Sequence, residues 1–286
     1  MIKVVSFTIC PFVQRITALL EAKRLPYEVE YISLKEKPQW FLDISPNGQV
    51  PVLITESGSA LFESDAIAEY LDDAYPALEA QITAEQKALD RAWSYQASKH
   101  YLAQCSAMRS ADKDTLIERM EKLAKSFAKV EKILGEGPYF KGESLSNVDM
   151  AWLPLLHRAN IIRQHTCFDM VRDFPKVQAW QSALMATGIA KASVSDEFEN
   201  KFTNFYLDEA TYLGRELRCC KDSECQQDGN CCSQDDCCRC QSDSRESDCC
   251  DTNRCESSDV QNCCDPKARE LTKSQTSNCC STNSGC

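Results

Sequence analysis

Ile2-Lys3-Val4-Val5-Ser6-Phe7-Thr8-Ile9-Cys10-Pro11-Phe12 decides the architecture of the first third of the chain. The run from Ile2 to Phe7 is near-continuously apolar, as a strand buried on both faces must be. Thr8-Ile9-Cys10-Pro11 then opens a helix, with proline in the first turn and Val13, Ile16, Leu19 and Leu20 on one face. Tyr27-Glu28-Val29-Glu30-Tyr31-Ile32 alternates in the manner of a second strand. Two strands joined by a helix form a βαβ unit, which predicts a parallel pair.

The pattern continues outward. Lys37 to Ile44 is a short helical stretch. Val50-Pro51-Val52-Leu53-Ile54 and Ala60-Leu61-Phe62 flank the turn Glu56-Ser57-Gly58-Ser59 and predict a hairpin. Ser64 is expected to cap a helix carrying Ile67, Tyr70 and Leu71, ended by Pro76. From Thr83 onward the reading is helical throughout, with capping boxes at Thr83-Ala84-Glu85-Gln86 and Ser146-Asn147-Val148-Asp149. Leu116, Met120, Leu123, Phe127, Val130 and Leu134 keep a helical period, and further helices are expected over 149–163, 175–187 and roughly 196–213. The expected organisation is an α/β domain over residues 1–78, an all-α domain over 83–213 and a cysteine-rich tail over 219–286.

The tail holds 16 of the 19 cysteines, while its only aliphatic residues are Val260, Ala268 and Leu271. Hydrophobic burial cannot offset chain entropy there, so the apo tail is expected to be disordered or held by sulfur chemistry. Cys-Cys-x4-Cys occurs at Cys219, Cys220 and Cys225 and recurs at Cys249, Cys250 and Cys255. Cys279, Cys280 and Cys286 repeat it with one extra residue, and Cys231, Cys232, Cys237, Cys238, Cys240, Cys263 and Cys264 lie between. With no tail histidine, a metal site would rest on thiolates, a set suited to Zn, Cd, Cu(I) or trivalent arsenic. A purely redox tail and one with no specific ligand stand as alternatives.

The net charge is −11 and there is no basic stripe, which argues against nucleic acid or an anionic membrane as partner. No run approaches the ~18 apolar residues of a membrane span, and the first residues lack the features of a signal peptide. A cytoplasmic, reducing location is therefore expected, which keeps thiols available for metal.

Cys10 is the sharpest single site. At a strand-to-helix junction its sulfur faces unpaired backbone N–H groups and the positive end of a helix dipole, which lower a thiol pKa. Val13 occupies the place of the second cysteine of a Cys-x-x-Cys pair. A monothiol needs an outside thiol to resolve its adducts. A buried structural cysteine is the alternative. Cys105 and Cys167 read as core or surface thiols, His165 with Cys167 as at most half a metal site, and His100 and His157 have no recognisable partners.

Cys10-Pro11-Phe12, Lys37-Pro38-Gln39-Trp40-Phe41, Asn47-Gly48-Gln49-Val50-Pro51-Val52-Leu53 and Phe62-Glu63-Ser64 together resemble the omega-like branch of the cytosolic glutathione transferases. The likeness extends through Ile67-Ala68-Glu69-Tyr70-Leu71-Asp72, Tyr75-Pro76, Ser146-Asn147-Val148-Asp149 and Phe174-Pro175-Lys176-Val177, and excludes the tail. The tail is similar to metallothioneins in composition alone. The resemblance implies a thioredoxin-like domain followed by an all-helical one, with glutathione as co-substrate and Cys10 as the catalytic residue. It implies a cis bond before Pro51 and a glutathione site of Phe12, Lys37, Val50, Glu63 and Ser64. In it the Val50 backbone pairs with the cysteinyl unit, Glu63 and Ser64 hold the γ-glutamyl end, and Lys37 lies near the glycyl carboxylate. Lys37 and Glu63 as solvated charges, and Ser64 as a plain cap, are the bland alternatives.

The expected reaction is thiol transfer or reduction through a Cys10–glutathione mixed disulfide, acting on a disulfide or on a small molecule such as dehydroascorbate or a methylated arsenical. Glutathione conjugation ranks second, because it usually employs a Tyr or Ser hydroxyl. A metal-buffering protein with a glutathione-binding carrier domain is the non-enzyme alternative. Relatives usually form homodimers and some are monomers, so the oligomeric state stays open.

Overall fold

A computed structural model describes residues 1–79 and 82–216. The sixteen tail cysteines proposed as metal ligands lie outside the described residues. The chain opens with β1 (Ile2–Ser6), α1 (Pro11–Ala22) and β2 (Tyr27–Tyr31), followed by α2 (Gln39–Ile44), β3 (Val52–Ile54), β4 (Ala60–Phe62) and α3 (Ser64–Ala74). The strands form one sheet in the order β2-β1-β3-β4. β1 runs parallel to β2 with Ile2 opposite Tyr27, and antiparallel to β3 with Val4 opposite Leu53. The continuous apolar run of β1 thus belongs to an inner strand, whereas alternating β2 lies on the sheet edge. The β3–β4 hairpin turns through Gly58, whose φ of +85° favours a residue without Cβ. This is a thioredoxin-like mixed sheet. α2 covers one face through Phe41 on Val5 and Val52, and the larger core covers the other.

The helical domain comprises α4 (Ala84–Met108), α5 (Lys113–Ile133), α6 (Asn147–His165), α7 (Pro175–Ala186), α8 (Ile189–Ala192), α9 (Phe198–Tyr206) and α10 (Tyr212–Glu216). Both expected capping boxes form, at Thr83 with Gln86 and at Ser146 with Asp149. Asp149 also accepts from the Phe140 amide at 2.9 Å and Trp180 Nε1 at 2.7 Å, which ties the start of α6 to α7 and the loop before it. In α5 the predicted period holds, with Leu116, Leu123, Phe127 and Val130 buried.

Two sequence expectations need correction. The helix expected over 196–213 is broken into α9 and α10. Thr211 is fully buried and its Oγ1 donates to the Tyr206 carbonyl at 2.9 Å while accepting from the Gly214 amide. Gly214 packs so closely that a Cβ there would lie 2.3 Å from the Leu207 carbonyl. Ser64 does not cap α3 with its side chain: it is the first helical residue, and Glu63 holds the cap position at φ +65°, without a side-chain bond to the helix.

α1 begins directly after Cys10. It lies between the sheet and α6, so even Gln14, Arg15 and Thr17 are buried. Buried polar groups must find partners. Thr17 Oγ1 donates to the Ser193 carbonyl at 2.7 Å, Arg15 pairs with Asp65 of α3, and Gln14 joins a network with α6. Ile16, Leu19 and Leu20 fill the remaining faces, each contributing about 1.5–3 kcal/mol by burial.

Candidate active site

Cys10 is the N-cap of α1 and keeps part of its surface exposed. Its thiol is pulled two ways. Burial pushes it above the ordinary thiol value, while the Phe12 and Val13 amides and the Arg158 guanidinium draw it down, and burial wins. The low pKa expected from the helix start alone is therefore corrected, because the same position that supplies the amides also removes water.

The cleft in front of Cys10 is about 370 Å³. Cys10, Phe12, Lys37, Val50, Glu63 and Ser64 all line it. Residues 45–51 form its floor. Ser45 Oγ donates to the Gln49 carbonyl at 2.9 Å and accepts from the Gln49 amide at 3.0 Å, which closes the loop on itself. Gly48 sits at φ +56°, and a Cβ there would lie 3.3 Å from Leu42 and 3.4 Å from Lys37 Nζ, so glycine lets the ammonium rest over the loop. The Val50–Pro51 peptide is cis. Glu63 Oε1 accepts from Asn47 Nδ2 at 3.2 Å, which joins the floor to the start of α3. Ser64 is buried beneath it.

Sequence reasoning missed the support behind Cys10. Arg158 of α6 is fully buried and donates to the Ile9 carbonyl at 3.1 Å, the Pro154 carbonyl at 3.0 Å and Gln14 Oε1 at 2.5 Å. Gln14 Nε2 in turn donates to His157 Nδ1 at 2.8 Å. His157, without a partner in the sequence reading, is thus an acceptor at Nδ1 and stays neutral, its pKa pushed down to about 3 by burial and then by Arg158. An arginine inside the otherwise apolar stretch of α6 was the available signal. His100 Nδ1 meets the Gln96 carbonyl at 2.6 Å and His165 Nε2 meets Glu199 at 2.8 Å. Among the described residues no group of three or more His, Cys, Asp or Glu side chains is placed to hold a metal, and no helix is long and apolar enough to cross a membrane.

Residues 9–74 match the glutathione S-transferase N-terminal domain and residues 99–187 the glutathione S-transferase C-terminal domain. Glutathione S-transferase omega-1 of Sus scrofa is 31% identical over 214 residues, spanning 73% of this chain and 88% of that protein. Glutathione S-transferase DHAR2 of Arabidopsis thaliana is 32% identical over 161 residues, 54% of this chain and 70% of that protein. The crystal structure of glutathione transferase Omega 3C from Trametes versicolor superposes with a TM-score of 0.59 at 27% identity, over 68% of this chain and 89% of that one. The chain belongs to the glutathione S-transferases, in their omega-like branch.

Proposed function

We propose that this enzyme is a glutathione-dependent thiol transferase and reductase that works through a mixed disulfide at Cys10. The observation that carries the reading is a cysteine, rather than a hydroxyl residue, at the start of α1 in a cleft of about 370 Å³. The backbone of Val50 lies along that cleft for the cysteinyl unit of glutathione, as an added strand would pair. In this reading Ser64 takes the γ-glutamyl carboxylate and Glu63 the amine, both residues lining the cleft, with the uncapped first turn of α3 assisting the carboxylate. Lys37 suits the glycyl carboxylate, and Phe12 walls the cleft.

The Cys10 thiolate attacks the glutathionyl sulfur of a mixed disulfide, forming Cys10–S–S–glutathione and releasing the substrate thiolate. A second glutathione thiolate then attacks that adduct, giving glutathione disulfide and restoring Cys10. A conjugating enzyme would instead leave glutathione's own thiolate free to attack an electrophile, and a cysteine at this position favours disulfide formation over that role. The test is Cys10→Ser in the full chain, assayed for reduction of a glutathionylated peptide. Activity should be lost, with conjugating activity unchanged or gained. Full retention of reductase activity would refute the assignment.

A second proposal concerns the tail. Its thirty-residue repeat of Cys-Cys-x4-Cys without histidine supports soft-metal thiolate clusters, joining the enzyme to metal or metalloid detoxification. Without thiolate sharing, sixteen cysteines would serve about four tetrahedral ions. Native mass spectrometry of the reduced chain titrated with Zn(II) or Cd(II) should show several ions bound. A chain lacking residues 219–286 should bind none, and equal binding by both would end the proposal.

A further inference from the structure

Asp65 is the second residue of α3 and directly follows Ser64, which lines the Cys10 cleft. In the function proposed above, that first turn receives the γ-glutamyl carboxylate. An acid in the first turn is favoured by the helix dipole while the cleft is empty, yet it repels an incoming carboxylate. The chain thus carries a fixed negative charge beside the place where its ligand brings another.

α1 answers that charge. Arg15, five residues after Cys10, is 4% exposed and pairs through Nη1 with Asp65 Oδ1. Ser98 of α4 donates from Oγ to Asp65 Oδ2 at 3.2 Å, so both carboxylate oxygens are engaged. Among the described residues Arg15 is the cation paired with Asp65. Glu69, the acid one turn further along α3, is engaged by α4 instead: it pairs with Arg91, and its Oε1 accepts from the Tyr95 hydroxyl at 3.0 Å. Arg15 also lines a cavity of about 240 Å³ that Glu69, Ser94 and Arg91 share. The buried guanidinium therefore keeps an acidic neighbour in Glu69 even where Asp65 is neutral.

We propose that Arg15 is a positioning residue for glutathione: by neutralising Asp65 it leaves the start of α3 free to take the γ-glutamyl carboxylate. This rests on the glutathione reading of the cleft and names what sets the affinity there. Without Arg15, Asp65 keeps only the Ser98 hydroxyl, and its charge opposes the ligand's across the first turn. Without the Asp65 charge, Arg15 offers its own positive charge to the ligand. The two halves of one ion pair thus act on binding with opposite sign. A pair that merely held α1 to α3 would act with the same sign whichever half was removed.

The experiment measures binding to the full-length reduced chain by isothermal titration calorimetry, with two probes that cannot exchange with Cys10. One is S-methylglutathione. The other is the same molecule with 4-aminobutyryl in place of γ-glutamyl, which keeps the amine and lacks the carboxylate. Arg15→Met should weaken S-methylglutathione by about tenfold, the order of one like-charge contact near a protein surface, and the 4-aminobutyryl probe by less than about twofold. Asp65→Asn should bind S-methylglutathione more tightly than the native chain, and Arg15→Met combined with Asp65→Asn should return to within about twofold of native. Equal weakening of both probes in Arg15→Met, or no weakening, would overturn the proposal. So would Asp65→Asn binding S-methylglutathione no more tightly than the native chain, an outcome readable even where Arg15→Met fails to fold. A native chain that binds the two probes equally would instead refute the placement of the γ-glutamyl carboxylate at Ser64, and the proposal with it.

Discussion

Arg158 Nη2 donates to the carbonyl of Ile9 across 149 residues of sequence, at 3.1 Å, and so fixes the residue immediately before Cys10. Among the described residues the same guanidinium is the cationic influence drawing the Cys10 thiol down, against burial that pushes it up. Position and charge at the cysteine are thus set by a side chain from the other domain.

Replacing Arg158 by Met removes the pull and leaves the burial. The pH midpoint for iodoacetamide labelling of the Cys10 peptide should rise relative to the native chain. Arg158→Lys, which keeps a charge but loses the planar fork, should fall between the two. Far-UV circular dichroism checks that each variant folds. A midpoint unmoved in Arg158→Met would mean that the charge plays no part at Cys10.

Glu63 occupies φ +65°, ψ +115°, a conformation a non-glycine residue holds at a cost of about 1–3 kcal/mol. Its side chain lines the cleft and is tied to Asn47, so the backbone cost falls at a residue of the proposed glutathione site. Glu63→Gly should keep or raise the thermal midpoint while lowering apparent glutathione affinity by about tenfold, the loss of one charge-assisted contact. A clear fall in the midpoint would show that the conformation is not strained.

The contrast between Glu63 and Arg158 also marks how far the sequence could be read. The strand–helix start at Ile2 to Pro11, both capping boxes and the β3–β4 hairpin depend on neighbours a few residues apart, and their patterns are local. The cleft residues Lys37, Val50, Glu63 and Ser64 were named through resemblance, since nothing local separates them from solvated charges and a helix start. Gln14, His157 and Arg158 escaped because the bond from Arg158 to Gln14 spans 144 residues. Their burial follows from α1 lying between the sheet and α6. A period analysis of α1 sees an amphipathic helix, and only the second layer shows why its polar face is buried too.

The buried His157 gives a pH dependence whose sign can be worked out. Its folded-state pKa is pushed down to about 3, against an ordinary 6.5. Between those values the unfolded chain takes up a proton that the folded chain refuses, so the stability it contributes is present above pH 6.5 and is lost as pH falls toward 3. The slope from this group alone approaches about 1.4 kcal/mol per pH unit below 6. Substituting His157→Gln supplies an uncharged side chain that can still accept from Gln14 Nε2, and removes the titration. The drop in thermal midpoint between pH 7.5 and pH 5 should therefore be smaller in His157→Gln than in the native chain. Every other titrating group is shared by the two proteins, so it cancels in the comparison. Equal drops would show that His157 takes up its proton in the folded state near its ordinary pKa, and that burial and the Arg158 charge do not hold the imidazole neutral behind Cys10.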